Sequence, residues 1–387
     1  MLNFSRADRS ALAEWWWTVD RLLLAALVAL ALTGLVFSMA ASPSVAVKLG
    51  LDEFYFVKRQ VLFLGVGFCI ILAVSLLNPR HLRRLALLVL AGGFAMMMLT
   101  LLHGVEIKGS RRWIEIAGFS LQPSEFVKPA FVLLSAWLFA EGTRRPEIPG
   151  AQLATGLLGI FIVLLLLQPD VGQALLASLV WGALFFMAGM PVLWMFIFVG
   201  LGAGGLTAAY FLVPHVTSRV DRFLDPSSGD SYQVDTALDA VIRGGWLGQG
   251  PGEGTIKRVL PDSHTDFIFA VTAEEFGIVV CLALLAMFAF IVLRVLLAAS
   301  REPDPFVRFA IAGLIIMFGL QAFINMGVNL ALLPAKGMTL PFVSSGGSSM
   351  LSTCLSMGMV LGLTRRRVSP GDALPSPIPG SAAGAHG

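Results

Sequence analysis

The residues in this chain best suited to chemistry are charged side chains set against long apolar runs. In Leu260-Pro261-Asp262-Ser263-His264-Thr265-Asp266-Phe267-Ile268-Phe269-Ala270 an acidic, polar loop runs straight into an apolar segment. Asp266 therefore stands at the mouth of the helix that segment forms, where a carboxylate either accepts a proton or caps the helix. At 100° per residue Ala270, Ala273 and Gly277 lie on its face, a lane of small residues suited to close helix packing. His264 and Asp266 have the H-x-D spacing of a metal pair, but two ligands on an extended loop are weak evidence, and a histidine in ordinary loop hydrogen bonds accounts for it better. Glu274 and Glu275 follow two turns deeper. An ionisable residue at mid-membrane costs roughly 2.5–3.5 kcal/mol for Asp or Lys on insertion scales, so at least one of the two is expected to face a polar cavity.

A second constellation, Gln122-Pro123-Ser124-Glu125-Phe126-Val127-Lys128, opens another apolar run. Ser124 is a candidate N-cap, and Glu125 and Lys128, one turn apart on one face, can pair. The pair either locks its helix to neighbours or leaves Lys128 to meet a phosphate. Just before it, Arg111-Arg112-Trp113-Ile114-Glu115-Ile116 alternates apolar positions with basic residues, which suits a segment lying on an outer surface. Gln168-Pro169-Asp170 breaks a further apolar run and puts Asp170 at a helix start. Gln321, Asn325 and Asn329 recur every four residues as a polar stripe. Interhelical hydrogen bonds of that kind average only about 0.6 kcal/mol, so the stripe is structural unless it lines a cavity. Pro341 to Ser349 is a turn of serines and glycines whose N–H groups and hydroxyls, Ser344 and Ser348 among them, can cradle an anion.

The elements that must position these residues follow from composition. The chain has 387 residues, 57% hydrophobic and 13% charged, and a mean hydropathy of +0.82. A soluble globular protein is about one-quarter charged, so this is an all-α integral membrane protein. At roughly 20 apolar residues per crossing, spans are expected near 22–41, 60–77, 85–102, 125–141, 152–168, 173–188, 191–213, 267–297, 307–333 and 346–364. Ten spans put both termini on one side. Arg6, Arg9, Arg21, Arg80, Arg83, Arg84, Arg144, Arg145, Arg294, Arg301, Arg308 and Arg365 to Arg367 fall on that side, which the positive-inside rule makes cytoplasmic. The opposite side also carries Lys58, Arg59, Lys108, Arg111, Arg112, Arg219, Arg222, Arg243, Lys257, Arg258 and Lys336. Many of these lie in one loop, 214–266, and long loops translocate regardless of charge. Their presence there points either to an anionic ligand or to simple solvation of the loop. With a net charge of only +3 placed this way, nucleic acid is not an expected partner.

The run from Leu22 to Ala40 is too long for the apolar core of a signal peptide and is kept as the first span. Trp15 to Trp17 before it read as an interfacial anchor. Cys69, Cys281 and Cys354, at unrelated spacings inside apolar runs, form neither a disulfide framework nor a zinc site. Gly248-Gln249-Gly250-Pro251-Gly252 lacks the strand and helix a dinucleotide site requires. The expected organisation is a cytoplasmic segment 1–21, a polytopic membrane domain 22–367, and a tail 368–387 too poor in apolar bulk to fold.

Taken together, these residues resemble the SEDS family of bacterial cell-wall proteins. The resemblance runs from Arg6 to Arg367 and rests on Arg59-Gln60, Arg112-Trp113-Ile114, Gln122-Pro123-Ser124-Glu125 with Lys128, Gln168-Pro169-Asp170, and Phe223-Leu224-Asp225-Pro226. It rests further on His264-Thr265-Asp266-Phe267-Ile268-Phe269-Ala270-Val271 with Glu274-Glu275, and on Pro341-Phe342 to Ser349. One departure is Ser345, where the family usually has tyrosine. In the stretch Arg9-Ser10 through Gln60 the chain resembles the division branch of the family more than the RodA-type elongation branch.

The resemblance implies a peptidoglycan glycosyltransferase that polymerises lipid II at the outer face of the bacterial cytoplasmic membrane, at the division septum. It implies a class B penicillin-binding protein (an FtsI-type transpeptidase) and other divisome membrane proteins as partners, within the membrane lipids. It also implies that Asp266 is the catalytic residue and that a divalent cation, Mg or Mn, supports activity. Such a reaction needs a base for the acceptor hydroxyl and positive charge for the leaving pyrophosphate. Asp266 is then the base, and Lys128, Arg59, Arg219 and Arg222 are candidates for the charge, with Glu125, Asp170, Ser344 and Ser348 completing the substrate site. The lipid tails would lie in grooves between spans, the small-residue lane below Asp266 being one. Two rivals remain, a lipid II flippase and a scaffold without chemistry. A flippase needs polar residues through the full membrane depth, a polymerase only near the outer side.

Overall fold

A computed structural model of the chain describes residues 10–107, 110–116, 118–212, 217, 232–334 and 337–365. Arg219, Arg222, Lys108, Lys336, the Phe223 to Pro226 motif and the tail 368–387 lie outside the described residues.

Only a helix satisfies its own backbone groups within lipid, and the apolar runs are accordingly helical. The short α1 (Ala11–Thr18) leads into α2 (Arg21–Lys48), α3 (Tyr55–Ser75) and α4 (Pro79–His103). After a small sheet come α5 (Pro123–Arg144), α6 (Gly150–Leu167), α7 (Val171–Met187) and α8 (Val192–Leu212). Then follow α9 (Tyr232–Gly244), α10 (Ile268–Ser300), α11 (Pro305–Asn329) and α12 (Gly347–Leu363). Seven of these, α2 to α6, α10 and α11, are long and apolar enough to cross a membrane, and α7, α8 and α12 are apolar helices at the other expected spans. Proline in the first turn starts α4, α5 and α11, where its missing N–H is no loss. Asp20 and Asp304 cap α2 and α11 by accepting backbone N–H bonds. Helices α5, α11 and α12 are enclosed on most sides, and Phe131, Phe139, Phe161, Phe309 and Phe342 fill the core around them.

The two ends of the bundle differ as the positive-inside reading requires. At one end Arg294 grips Asp20 in a bidentate pair at 2.7 and 2.9 Å, Arg144 pairs with Asp304 at 2.8 Å, and Arg365 reaches Thr18 at 2.9 Å. Arg83 lies over the Trp137 and Phe306 rings at the same end. The other end carries a small antiparallel sheet, β1 (Val105–Ile107), β2 (Ser110–Ile116) and β3 (Phe119–Leu121) in that order. Its register pairs Glu106 with Arg111 and Ile114 with Leu121. The alternation read at Arg111 to Ile116 is thus a strand in a hairpin, an addition to the all-helical expectation.

Helix α10 is not one continuous rod. Gly277 takes φ 82° and ψ 174°, a left-handed conformation that breaks the helix, and a Cβ there would come within 2.3 Å of the Trp246 carbonyl oxygen. The break strands backbone groups on both sides, and the loop after α9 satisfies them. Ile278 and Val279 donate to the carbonyls of Gly245 and Trp246 at 2.9 and 3.3 Å. Gln249 and Gly250 donate to the carbonyls of Glu274 and Glu275 at 2.9 and 3.0 Å. The expected span at 267–297 therefore divides into an upper segment wrapped by the loop and a lower one of 278–300.

Candidate active site

The Asp266 turn is built by its backbone. Asp262 adopts φ 54°, a region in which aspartate is enriched, and its carbonyl collects the N–H groups of Thr265, Asp266 and Phe267 at 3.0, 3.1 and 3.3 Å. The carbonyl of Asp266 then accepts from two side chains of α11, Asn325 and Asn329, each at 2.9 Å. Asn325 also donates to the Met338 carbonyl at 2.6 Å, and Asn329 accepts the N–H of Ala270 at 3.0 Å. Ser344 donates to the carbonyl of Thr265 at 2.5 Å, and the N–H of Ser345 donates to the carbonyl of His264 at 3.0 Å. The turn is thus held from α11 and from the 338–345 loop at once. Its carboxylate lies against the backbone at Gly337, where a Cβ would stand 3.2 Å from Oδ2.

Several expectations change at this point. Asp266 does not cap α10: the N-cap is Phe267, with no side-chain cap bond. The polar stripe of α11, read as structural, positions the candidate catalytic turn. Its four-residue spacing was visible in sequence, but its target was not. The hydroxyls of Ser344 and Ser348 are engaged within the protein. Ser344 accepts the N–H of Leu340 at 2.7 Å besides holding Thr265, while Ser348 accepts the Gln122 N–H at 3.0 Å and donates to the Ser120 carbonyl at 3.2 Å. Their hydroxyls join loops across the outer end, and both are buried.

Glu274 and Glu275 are fully buried and bonded to the long loop rather than turned to solvent. Glu274 accepts the N–H groups of Thr255, Ile256 and Lys257 at 2.7, 2.8 and 3.2 Å. Glu275 pairs with buried Lys257, whose ammonium also donates to the Ala40 carbonyl at 3.1 Å. The two carboxylates clamp the long loop onto α10. The lane of Ala270, Ala273 and Gly277 is likewise no groove for lipid tails: a Cβ on Gly244 would lie 1.9 Å from the Ala273 carbonyl oxygen, so α9 fills it.

The Glu125 and Lys128 pair is formed, at 2.9 Å, and both side chains are almost wholly buried. Gln173 donates to Glu125 at 3.0 Å, and Lys128 donates to Gln321 at 3.3 Å. Gln321 in turn donates to the Thr339 carbonyl at 3.2 Å, and the Thr339 hydroxyl meets Ser349 at 2.5 Å. Lys128 is therefore neutralised within the protein and acts through this chain of bonds. Asp170 is the N-cap of α7, accepting from Gln173 at 3.3 Å, and pairs with Arg112 at 3.0 Å. That commits it to the sheet and to α7.

Arg59 has a different setting. It is half-buried, its guanidinium 5.6, 5.7 and 5.8 Å from the Tyr55, Phe63 and Phe119 ring centroids, and it lines a cavity of about 150 Å³. Phe56, Gln60, Trp113, His264, Ser345 and Gly346 share the lining, in which Arg59 is the one formally charged side chain. Gln60 donates to the Val343 carbonyl at 3.3 Å and accepts from Ser345 at 3.0 Å, which ties α3 to the serine turn. Burial pushes the pKa of His264 below the usual imidazole range, more than nearby Asp262 raises it. Its ring packs on Phe56 at 4.4 Å, and its buried Nδ1 has no hydrogen-bond partner among the described residues. His264 is two residues from Asp266, so the turn that carries the candidate base also lines this cationic cavity, through His264.

Among the described residues no group of three or more His, Cys, Asp or Glu side chains converges to hold a metal ion. The described donors near Asp266 therefore do not by themselves complete a metal centre.

Comparison with known proteins agrees with this architecture. The chain is 46% identical over 365 residues, 94% of each sequence, to a protein of Caulobacter vibrioides named "Probable peptidoglycan glycosyltransferase FtsW". It is 38% identical over 371 residues to the Halorhodospira halophila protein of the same name, covering 92% of this chain and 93% of that one. Among solved structures it resembles a chain from a peptidoglycan synthase complex that coordinates polymerization and crosslinking, with TM-score 0.74 and 28% identity over 90% of this chain and 98% of that one. The rod shape determining protein RodA of Thermus thermophilus is similar at TM-score 0.67 and 28% identity, over 90% of this chain and 97% of that one. The sequence profile of the cell cycle protein family FtsW/RodA/SpoVE matches residues 20–368, nearly all of the described membrane bundle and its outer loop, and the chain belongs to that family.

Proposed function

We propose that this chain is a peptidoglycan glycosyltransferase of the FtsW type, polymerising lipid II processively during cell division at the outer face of the bacterial cytoplasmic membrane, at the septum. The observation that carries the reading is the Asp266 turn, held rigidly at one end of the bundle beside a cavity lined by Arg59. The names of its relatives support the same activity.

In this reading an Asp266 carboxylate oxygen takes the proton of the acceptor sugar hydroxyl. The hydroxyl oxygen attacks the donor's anomeric carbon as the bond from that carbon to the pyrophosphate oxygen breaks, with inversion, and undecaprenyl pyrophosphate leaves with its charge. Arg59 is proposed to meet that charge, since it is the cation lining the cavity, while Glu125 and Lys128 set the helix positions around it. Buried, preorganised groups of this kind stabilise developing charge without reorganising at the moment of reaction. A divalent cation, Mg or Mn, is proposed to travel with the substrate's pyrophosphate. A class B transpeptidase and other divisome membrane proteins are proposed partners, in keeping with the peptidoglycan synthase complex among the structural neighbours. A flippase would need a polar path to the far side. Below Lys128, however, α5 buries Ala130, Phe131, Val132, Leu133 and Leu134, and no charged side chain follows on that helix until Glu141, which favours the polymerase. The test is polymerisation of labelled lipid II by the purified chain in proteoliposomes, with and without its transpeptidase. Glycan strands on a gel are expected, and none in either condition would refute the reading.

The Asn325 tether makes its own prediction. Asn325→Leu removes one of two donors to the Asp266 carbonyl while keeping the side-chain size. A misplacement of about 1 Å at a reacting group costs on the order of 10²-fold. The variant is expected to fold, to keep its KM for lipid II, and to lose kcat by that order in steady-state polymerisation. A variant that loses only thermal stability would make the stripe merely structural.

A further inference from the structure

The turn that mends the broken α10 is apolar on its outside. Below Gly277, α10 exposes Val279, Leu282, Leu285, Phe290, Leu293 and Leu297 along one stripe. Val279 to Leu297 rises about 27 Å at 1.5 Å per residue, close to the roughly 30 Å of a bilayer's hydrocarbon core. Val279 is therefore the upper edge of the lipid-facing surface, and its N–H is bonded to the Trp246 carbonyl. Trp246 and Leu247 are 71% and 81% exposed, and Ile242, one turn earlier on α9, is exposed beside them. Also exposed on α9 are Tyr232 and Asp235 in its first turn and Asp239 one turn before Ile242. The helix thus exposes carboxylates up to Asp239 and apolar side chains from Ile242 on, with exposed Arg243 set between Ile242 and Trp246.

We propose that the Ile242, Trp246 and Leu247 patch is embedded in the outer leaflet, so that the long outer loop is a re-entrant element anchored in lipid. The occupant is acyl chain, because the patch continues the lipid-facing stripe of α10 through a direct backbone bond at Val279. Tryptophan is enriched at membrane–water interfaces, and an arginine beside it can bury its stem while its guanidinium reaches water. Backbone without helical structure is tolerated at that depth because the loop's N–H and C=O groups are spent on the Gly277 break. Through the clamp of Glu274 and Glu275 on residues 252–257, the anchor holds the segment that follows the Asp266 turn.

The experiment uses the full chain in phosphatidylcholine and phosphatidylglycerol vesicles with exposed Cys69 replaced by alanine, since Cys281 and Cys354 are buried. Leu247→Cys, carrying an environment-sensitive fluorophore, is compared with the same label at exposed Glu253 and at lipid-facing Leu282. The Leu247 label is expected to emit to the blue of the Glu253 label, to be quenched several-fold more by lipids nitroxide-labelled near the headgroup, and to resist iodide. Iodide quenching equal to that at Glu253 would overturn the proposal. So would protection from both quenchers, which would mean that a second copy of the chain covers the patch. Labelling of Trp246→Cys is the second measurement, and water exposure there would overturn the proposal equally.

Discussion

Asp266→Asn is expected to give a folded, membrane-inserted protein that binds lipid II and makes no detectable glycan polymer. Asparagine keeps the shape of the side chain, and the bonds that hold the turn are made by the backbone of residues 262–267, which the substitution leaves in place. What is lost is the proton acceptor, and loss of a general base typically costs on the order of 10²–10⁴ in rate. The helix-capping alternative is already weak, because Phe267 is the N-cap and no side chain caps α10. Gel analysis of polymer from labelled lipid II, beside a binding measurement, checks the prediction. Near-normal polymer would remove Asp266 as base, and loss of binding would make its role one of holding substrate.

Lys128→Met is expected to act on folding rather than on the donor. Both members of the Lys128 and Glu125 pair are almost wholly buried, and removing one leaves the Glu125 carboxylate with Gln173 alone. Breaking a buried pair from one side costs about 3–5 kcal/mol, whereas replacing both partners is often nearly neutral. The single variant should therefore melt well below wild type in detergent, and the double variant Glu125→Gln with Lys128→Met should recover much of the loss. Such coupling between contacting residues is what a double-mutant cycle isolates. If Lys128 met the pyrophosphate directly, the single variant would keep its stability and lose lipid II affinity instead.

What the sequence determined by itself is what depends on local chemistry and on the solvent. Apolar runs of membrane length, arginines gathered on one side, the N-caps at Asp170 and the pairing of Glu125 with Lys128 all follow from spacing along one element, and each is present in the structure. Asp266 was legible as a carboxylate at a helix mouth for the same reason. What only the tertiary structure decided is where each polar group spends its hydrogen bonds. The stripe of Gln321, Asn325 and Asn329 could serve any neighbouring helix, and packing alone aims it at Asp266, Met338 and Lys128. Glu274 and Glu275 promised a polar cavity because burying charge is costly, but that cost is met equally well by backbone N–H groups and a lysine about 18 residues back along the chain. Ser344 and Ser348 carry hydroxyls that would suit an anion, yet carbonyls and N–H groups brought close by folding claim them first. A side chain's type states which bonds it can make, and only the fold supplies the partner, because an unsatisfied polar group inside a membrane bundle is costly enough that the nearest available partner is taken.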